Sequence, residues 1–558
     1  MYVAFEGIDG SGKTTVSNRA AKKIEEEGVV VTRPRPEGVL GSTIAAEIRQ
    51  ITRSAKNLHL EPRAELLLIA AREAQLFSEI AKPALDRGEW VIADRCVLTP
   101  LVAGVARGVP LEEARAVCHA AVGGRFPDQV IVCDIDPRLA RIRKRLDKIR
   151  KDAFGDRGRK GLLGEAYKER IRDGLLALAR ADPDHWAVLD ARLPIKKGTK
   201  LVAGRLRSIL RGERPEPWPE RGEDPPLVTP EELARPDLTD VLDERFLDYV
   251  EAIGADDPGM ASYMLIGIGG DRAWKLRRLS LDAEPEIVAY GLGGLVDDEA
   301  WKLREKLASV APASVARSLR GGAVRADSRA WAIRDRLAKK APVAVARGLS
   351  GFDDPVAMAL RRTLREVAPD AVVAGLRRCV STDARALLAE LGPGHPAAWA
   401  EAVAERDDAE AWKARDAALS GFPAEVLSSL RGVESDRAWA IRRQFARSAP
   451  KAVLRSVGAS LHAEAWKLRE EIGAESRAVL DGLRSVDLPE AWAIREAYRD
   501  RWPNAAVASL GVAARTVRGR TFAVDALARH PGDLLTLRRV AQALAKAEAA
   551  EDEVDTEE

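Results

Sequence analysis

The chain has 558 residues, of which 46% are apolar and 31% are charged, and its formal net charge is only +3. This length indicates two or more domains, and the balanced charge excludes a general attraction to nucleic acid or to a membrane surface. The chain contains no run of about 18 apolar residues and no charged-then-apolar leader, so we expect a cytoplasmic protein without a membrane partner. Its four cysteines are widely spaced and form no metal-ligand pattern, which favours buried thiols.

The first predicted element is a short apolar strand from Tyr2 to Phe5, followed by the glycine-rich stretch GIDGSGKT and a helix from about Lys13. Glycines allow a tight turn whose backbone N–H groups converge on a phosphate, and a helix N-terminus adds favourable partial charge. The stretch fits the phosphate-loop pattern, in which Lys13 reaches the outer phosphates and the Thr14 hydroxyl ligates Mg²⁺. We expect Lys13 to point to solvent when no nucleotide is bound. The predicted nucleotide-binding residues of the loop are Gly7, Gly10, Ser11, Gly12, Lys13, Thr14 and Thr15.

Five strand-like runs alternate with helical stretches as far as about Arg211: VAFEG, GVVVTR, WVIADR, QVIVCDID and WAVLDA. This order predicts an α/β domain over residues 1–212, with a parallel sheet flanked by helices. The run WVIADR ends a buried strand with Asp94, a position suited to a carboxylate that holds a metal-linked water.

Three stretches, FEGIDGSGKTT, ELLLIAAREAQLFSEIAKPALDRGEWVIADR and FPDQVIVCDIDPRLARIRKR, resemble thymidylate kinases in their order and spacing. The resemblance covers roughly residues 1–212 and implies phosphoryl transfer from ATP, with Mg²⁺, to dTMP or a related nucleoside monophosphate. It also implies that Thr14 and Asp94 serve the metal and that Arg95 holds the transferring phosphates. By the same resemblance, Asp9 meets the acceptor sugar and Arg141 lies against adenine.

The next stretch, RKRLDKIRKDAFGDRGRKG, is rich in arginine and lysine and contains glycines. In a kinase of this family such a stretch is a lid, whose arginines close over the triphosphate and stabilise transition-state charge. Position 10 of the loop is glycine where some relatives carry arginine, so we expect the catalytic arginine to come from the lid. The candidates are Arg150, Arg157 and Arg159. A solvated surface run is the alternative.

The acceptor segment departs from the family pattern. Where the family typically has Phe-Ala-Ala-Asp-Arg before an Ala-Gln pair, this chain has Ile-Ala-Ala-Arg-Glu at residues 69–73, and Cys96 replaces an aromatic residue. Losing a stacking contact and a base hydrogen bond costs about 1–3 kcal/mol each. The sequence therefore leaves the acceptor open, with Asp9, Arg35, Arg72 and Arg95 as its candidate binding residues.

A helical repeat is predicted between a Pro/Glu/Arg-rich linker at 213–239 and an acidic tail at 546–558, which we expect to be disordered. Seven tryptophan-centred motifs recur in residues 240–545 with a period of 27, and degenerate anchors fall at Met358 and Arg385. A proline follows eight of the nine anchors by eleven residues, and Arg477 replaces the ninth; this phase suits the first turn of a helix. Each unit is therefore a predicted αα-hairpin, and the hairpins stack into an all-α solenoid that is similar in architecture to HEAT-like repeats. The tryptophans are Trp274, Trp301, Trp331, Trp412, Trp439, Trp466 and Trp492.

An arginine follows eight of the nine anchors by three residues: Arg277, Arg304, Arg334, Arg361, Arg415, Arg442, Arg469 and Arg495. Tryptophan and arginine at this spacing share one helix face. In one interpretation the arginines stack on the tryptophans or pair with nearby acids; in the other they form an exposed cationic column for an acidic polymer or a protein partner.

These patterns favour a thymidylate kinase-like enzyme with a protein-interaction solenoid. Two alternatives stay open. One is a degenerate ATP-binding switch that controls a helical scaffold. The other is a nucleic-acid-binding solenoid with an auxiliary N-terminal domain, which salt-dependent binding to DNA or RNA would identify.

Overall fold

A computed structural model of the chain describes residues 1–35, 41–154, 158–218, 222, 225–484 and 486–555. It divides into two units, one made of Met1–Arg145 with Arg157–Gly222 and the other of Leu146–Asp156 with Glu223–Glu558. Among the residues described, no helix has the length and apolar character needed to span a membrane.

The first unit is built on a five-stranded parallel sheet with the strand order β2-β3-β1-β4-β5. The central strands are buried along their length, as expected for a parallel sheet covered by helices on both faces. All five predicted strands are present, and the α/β prediction is confirmed. The strands are β1 (Tyr2–Glu6), β2 (Val31–Thr32), β3 (Trp90–Asp94), β4 (Gln129–Asp134) and β5 (Trp186–Asp190).

Helices cover the sheet on both sides. One apolar cluster joins Phe5 and Ile131 to Val16 and Val202, and a second joins Ala4 and Val91 to Leu66. Because all strands are parallel, β1, β3 and β4 end at the same edge of the sheet, where the loops of the site begin. Their last residues are Glu6, Asp94 and Asp134. The helices are α1 (Lys13–Glu25), α2 (Thr43–Arg53), α3 (Pro62–Leu76), α4 (Lys82–Asp86), α5 (Leu98–Ala106), α6 (Leu111–Ala121), α7 (Pro137–Arg150), α8 (Glu165–Ala181) and α9 (Ile195–Leu210).

The second unit is helical in the part that the structure describes, and it consists mainly of paired short helices, which confirms the all-α prediction. Its helices are α10 (Pro230–Leu233), α11 (Leu238–Gly254), α12 (Pro258–Met264), α13 (Asp271–Leu279), α14 (Pro285–Gly291), α15 (Asp298–Leu307), α16 (Pro312–Ser318), α17 (Gly322–Ala326), α18 (Ser328–Leu337), α19 (Pro342–Gly348), α20 (Pro355–Leu364), α21 (Pro369–Gly375), α22 (Thr382–Leu391), α23 (Pro396–Ala402), α24 (Ala409–Leu419), α25 (Pro423–Ser429), α26 (Asp436–Phe445), α27 (Pro450–Val457), α28 (Ala463–Ile472), α29 (Ala478–Asp481), α30 (Pro489–Tyr498), α31 (Pro503–Ala508), α32 (Val517–Arg529) and α33 (Leu534–Asp555).

The repeat prolines occupy the first turn of the second helix in each pair, where the missing N–H group has no intrahelical partner to lose. Departures from the period have local consequences. The 30-residue interval between Trp301 and Trp331 contains the extra helix α17. Where Arg477 replaces the proline, the second helix α29 has only four residues.

The repeated arginines are buried, with exposures of 0–3%, so the second interpretation, an exposed cationic column, is wrong. Arg304 shows the pattern: it donates to the Leu292 and Leu295 carbonyls over 2.6 and 2.8 Å and lies 4.4 Å from the centre of the Trp301 ring. Its Nε also donates to Ser318 Oγ. Burial lowers the pKa of Arg304 and of six of its counterparts to about 10. Where the anchor is tryptophan, the arginine stacks on it, as the first interpretation holds. In place of the nearby acids, the arginines bind carbonyls at the ends of neighbouring helices.

The ends of the repeat region differ from the prediction in two places. The last helix, α33, continues to Asp555, whereas the sequence predicts disorder from residue 546. The stretch after 540 is rich in alanine and glutamate, which favour the helix over a disordered chain. Within the predicted linker, Thr229 and Glu232 form a capping box on the short helix α10.

Candidate active site

The loop between β1 and α1 has a backbone that only glycine adopts readily. Gly7, Gly10 and Gly12 have φ angles of 143°, 94° and 83°. A Cβ atom at Gly10 would lie 2.3 Å from the Ala140 carbonyl oxygen, so a side chain there is excluded. Gly12 precedes α1 and no side chain caps this helix, within the described residues. The first N–H groups of α1 are therefore available to an anion.

Lys13, Asp9 and Arg95 form a connected ion-pair group beside the loop. Lys13 Nζ lies 3.7 Å from Asp9 Oδ1, and Arg95 Nη2 donates to the same oxygen over 2.6 Å. Lys13 is only 7% exposed, so the expectation that it points to solvent without nucleotide is wrong. The Asp9 carboxylate provides the reason, because it offers the ammonium group a partner inside the site.

The charges of this group are strongly coupled. The surrounding protein disfavours the charged form of Asp9, but Arg95, Lys13, Lys144 and Lys160 together hold its pKa well below the ordinary value. Burial, assisted by Arg95, lowers the pKa of Lys13. The Asp9 side chain is still 48% exposed, so it can reach a ligand.

Glu6, which the sequence analysis did not single out, organises the base of the site. This fully buried carboxylate accepts hydrogen bonds from Thr99 Oγ1 over 2.8 Å and from the Cys96 backbone N–H over 3.0 Å. Its Oε2 lies 3.5 Å from Arg95 Nη1. Burial raises the pKa of Glu6, although Arg95 and Thr99 oppose this shift. The signal in the sequence was a charged residue at the end of an otherwise apolar strand.

Arg95 follows β3 with a φ angle of 84°, a region that non-glycine residues rarely occupy. The conformation is fixed by its backbone N–H, which donates to the Phe5 carbonyl, and by its contacts with Glu6 and Asp9. Backbone strain of this kind occurs where a side chain must be aimed at a functional site.

Two oxygens suited to a magnesium ion meet next to the loop, because Thr14 Oγ1 donates a hydrogen bond to Asp94 Oδ2. In the described ranges no group of three or more His, Cys, Asp or Glu residues could hold a metal by itself. Magnesium characteristically uses one or two protein oxygens and completes its shell with phosphates and water. The buried Ser11 Oγ has no hydrogen-bond partner among the residues that the structure describes. This orphaned hydroxyl and the uncapped helix fit a bound phosphate.

The predicted lid arginines have different surroundings. Arg159 is fully buried, forms an ion pair with Glu65 and donates to the Thr52 carbonyl over 3.2 Å. Arg150 belongs to the second unit, where it pairs with Glu284. Arg157 lies outside the described residues. Arg159 and Arg150 are thus each paired with a carboxylate of their own unit.

Two lysines that the sequence analysis missed contribute charge to the site. Lys144 on α7 lies 3.9 Å from Asp9 Oδ2. Desolvation lowers the pKa of Lys160 to about 8, with Arg95 and Arg72 acting in the same direction and Glu65 and Asp9 opposing it. Both lysines lie in the basic stretch that the sequence analysis treated as a source of arginines.

The remaining predicted residues have protein partners. Arg72 pairs with its neighbour Glu73, and Arg35 Nη2 donates to Asn18 Oδ1 over 2.9 Å. Arg141 lies 3.8 Å from Glu165. On the same helix, Arg143 lies beside the loop, since a Cβ atom at Gly12 would lie 3.9 Å from Arg143 Nη1.

Comparison with known proteins agrees with this geometry. A family model described as thymidylate kinase matches residues 5–202. The chain is 39% identical over 197 residues to the thymidylate kinase of Syntrophotalea carbinolica, a match that covers 34% of this chain and 88% of the relative. Matches to thymidylate kinases of Desulfosudis oleivorans and Bacillus pumilus, at 34% and 32% identity, cover 38% of this chain and 96% and 97% of those proteins. Through its N-terminal part, this chain belongs to the thymidylate kinase family.

Proposed function

We propose that the chain transfers the γ-phosphoryl group of ATP to a nucleoside monophosphate, with dTMP as the first candidate. The observation that supports this proposal is the ion-pair group of Lys13, Asp9 and Arg95. This group lies beside the phosphate loop, where no side chain caps the N-terminus of α1 within the described residues. Phosphoryl transfer requires positioning and neutralisation of charge more than covalent chemistry, and this group supplies both.

In this proposal the loop N–H groups and Lys13 bind the outer phosphates of ATP. Thr14 and Asp94 would hold Mg²⁺, which would neutralise phosphate charge when bound. Arg95 orients the acceptor phosphate, and Asp9 accepts a hydrogen bond from the acceptor sugar. Glu6 keeps Arg95 in its strained backbone conformation.

The reaction needs no general base. The second pKa of a phosphate monoester is about 6, so at neutral pH the acceptor phosphate already carries the oxygen that attacks the γ-phosphorus. A bond forms between that oxygen and phosphorus, and the bond to the ADP oxygen breaks. The task of the protein is to bring two anions together, which explains the cations around Asp9.

The cations that cover the transferring group are also part of the proposal. Arg150, Arg157 and Arg159 remain candidates from the family resemblance, and Arg141 remains the candidate for adenine. We add Lys160 and Lys144 as candidates, because the charges of both lysines lower the pKa of Asp9. Arg35 and Arg72 remain candidates for the acceptor side, and we propose the helical repeats as a scaffold for a protein partner.

The direct test is to incubate the full chain with ATP, Mg²⁺ and each common nucleoside monophosphate, and to separate the products by chromatography. The expected result is ADP together with the diphosphate of one acceptor. The variant Lys13→Ala should form neither product, whereas Lys23→Ala, on the exposed side of the same helix, should behave as wild type. ATP binding without conversion of any acceptor to its diphosphate would contradict the proposal and favour the ATP-binding switch.

A further inference from the structure

The end of α7 and the residues after it form a segment with its own contacts in the second unit. We call residues 146–154 the lid segment, because they fall in the stretch that the family resemblance assigns to the lid. Backbone bonds from Asp152 N–H to the Ile149 carbonyl and from Ala153 N–H to the Lys148 carbonyl close the helix. Asp152 has a φ angle of 49°, a position that glycine usually fills in this type of helix end.

Arg150 is held by a carboxylate of the first tryptophan-anchored repeat. Its Nε and Nη2 donate to the two oxygens of Glu284 over 2.9 and 2.8 Å, a bidentate geometry that is among the stronger ion pairs in proteins. The Glu284 side chain is 15% exposed, and this hydrogen bonding raises the pKa of Arg150. The paired guanidinium therefore cannot contact a phosphate with the same N–H groups.

The residues after Arg150 are held by the next helices. Arg317 Nε donates to Asp152 Oδ1 over 2.7 Å, and its guanidinium lies 4.1 Å from the centre of the Phe154 ring. On the other side, Phe154 stacks on Tyr290 with the ring centres 5.8 Å apart and the planes 13° apart. At a position that favours glycine, Asp152 provides a carboxylate for Arg317, which glycine would lack.

Two of the repeat residues that make these contacts, Glu284 and Tyr290, depart from the repeat pattern. The residue before the repeat proline is alanine at Ala311, Ala341, Ala368 and Ala449, and it is glutamate only at Glu284. Five residues after the proline, only the first of these repeats has an aromatic residue, Tyr290. Packing between hairpins does not require either residue, since the other repeats stack without them.

We propose that the first repeats hold the lid segment and withhold Arg150 from the phosphates, so that loosening this hold increases turnover. This inference rests on the proposed phosphoryl transfer for its effect on rate, but not for the holding contact itself. The repeats then act as an internal regulator of the enzyme, in addition to any scaffold function.

The test uses the full chain and the variant Glu284→Gln, with two measurements. Hydrogen exchange of the amides of residues 151–154 reports whether the segment is held, because local opening exposes them to solvent. Steady-state transfer from ATP reports whether Arg150 is withheld. Loss of one charge-assisted pair should raise both the exchange rate and kcat by about three- to tenfold.

Two further variants make the test decisive. Glu299→Gln removes a comparable pair within the same repeats, the one with Arg278 at 2.7 Å, and should change neither measurement. Phe154→Ala removes the ring stack from the lid side and should reproduce Glu284→Gln even if that variant folds poorly. Unchanged amide exchange in both Glu284→Gln and Phe154→Ala would overturn the holding contact.

Faster exchange with an unchanged or lower kcat would overturn the withholding of Arg150. If the wild-type chain transfers phosphate to no monophosphate, the proposed function fails, and with it the regulatory part of this inference. The exchange measurement still decides separately whether the repeats hold the lid segment.

Discussion

Arg95 Nη2 lies 2.6 Å from Asp9 Oδ1, so the residue that follows β3 is joined directly to the phosphate loop that follows β1. Both strands are neighbours in the sheet, and their carboxyl ends meet. The variant Asp9→Asn should fold normally, because this side chain is half exposed, and should lower kcat/KM for the acceptor by about 10- to 100-fold. Steady-state kinetics at varied acceptor concentration check this, with the exposed Asp86→Asn as control. Equal loss in both variants would contradict a specific role for Asp9.

Lys13→Ala should weaken binding of ATP with Mg²⁺ by about 100-fold or more, because it removes the buried cation that faces the phosphates. The chain should remain folded, because Lys13 is not part of the apolar core. An unchanged circular dichroism spectrum would show this. Isothermal titration calorimetry measures the affinity. An unchanged dissociation constant in the folded variant would remove the phosphate-loop assignment.

Arg159→Ala should mainly lower stability, because it leaves the buried Glu65 carboxylate with only Arg107, whose Nε lies 3.7 Å away, as its cation. Breaking a buried ion pair in this way costs about 3–5 kcal/mol in the free energy of unfolding. The measurement is urea denaturation, followed by tryptophan fluorescence. The double variant Glu65→Gln with Arg159→Met should recover part of the loss. Arg63→Ala, which breaks an exposed pair with Glu113, is the control and should be nearly neutral. A stable Arg159→Ala protein with a large loss of kcat would instead place Arg159 in the lid chemistry.

Activity should fall above about pH 8 if the Lys160 ammonium group helps to bind phosphates. The pKa of Lys160 is about 8, so the charged form predominates below this pH and is lost as the pH rises through it. This alkaline limb should be seen in kcat/KM, which reports groups of the free enzyme. In Lys160→Arg the limb should move to higher pH, since arginine stays protonated. A limb at the same pH in that variant would exclude Lys160 as its source.

Arg442 and Arg443 are adjacent on α26 but should differ strongly on substitution. Arg442 is buried and donates to the Leu430 and Val433 carbonyls and to Ser456, whereas Arg443 is exposed and pairs with Glu464. Arg442→Ala leaves buried carbonyls unpaired and should cost about 2–5 kcal/mol of unfolding free energy. Arg443→Ala should change it little. Chemical denaturation followed by circular dichroism compares the two, and equal losses would contradict a structural role for the buried column.

Local patterns of the sequence were sufficient for the phosphate loop, the five strands and the repeat period, because each depends on residues close together in the chain. Thr14 and Asp94 are 80 residues apart, and they meet because β1, which leads into the loop before α1, lies next to β3 in the parallel sheet. The hydrogen-bond partners of the arginines could not be predicted from such local patterns. Arg304 bonds to carbonyls 12 and 9 residues earlier, which meet it only when hairpins stack. The partner of Arg150 is 134 residues away, and no local spacing indicates it.

The arginine contacts also give the repeat array a direction. Each guanidinium donates to carbonyls that follow the preceding hairpin, as Arg304 does after α14. Arg442 and Arg495 donate in addition to a serine carbonyl of their own hairpin. Truncation therefore removes different contacts at the two ends. Deleting hairpins from the N-terminal side removes the acceptors that the preceding hairpin supplies to the next arginine. Deleting them from the C-terminal side removes Arg538 of α33, which donates to the Met264 and Ile266 carbonyls at the end of α12. Shortened versions of this protein should therefore lose stability whichever end is removed.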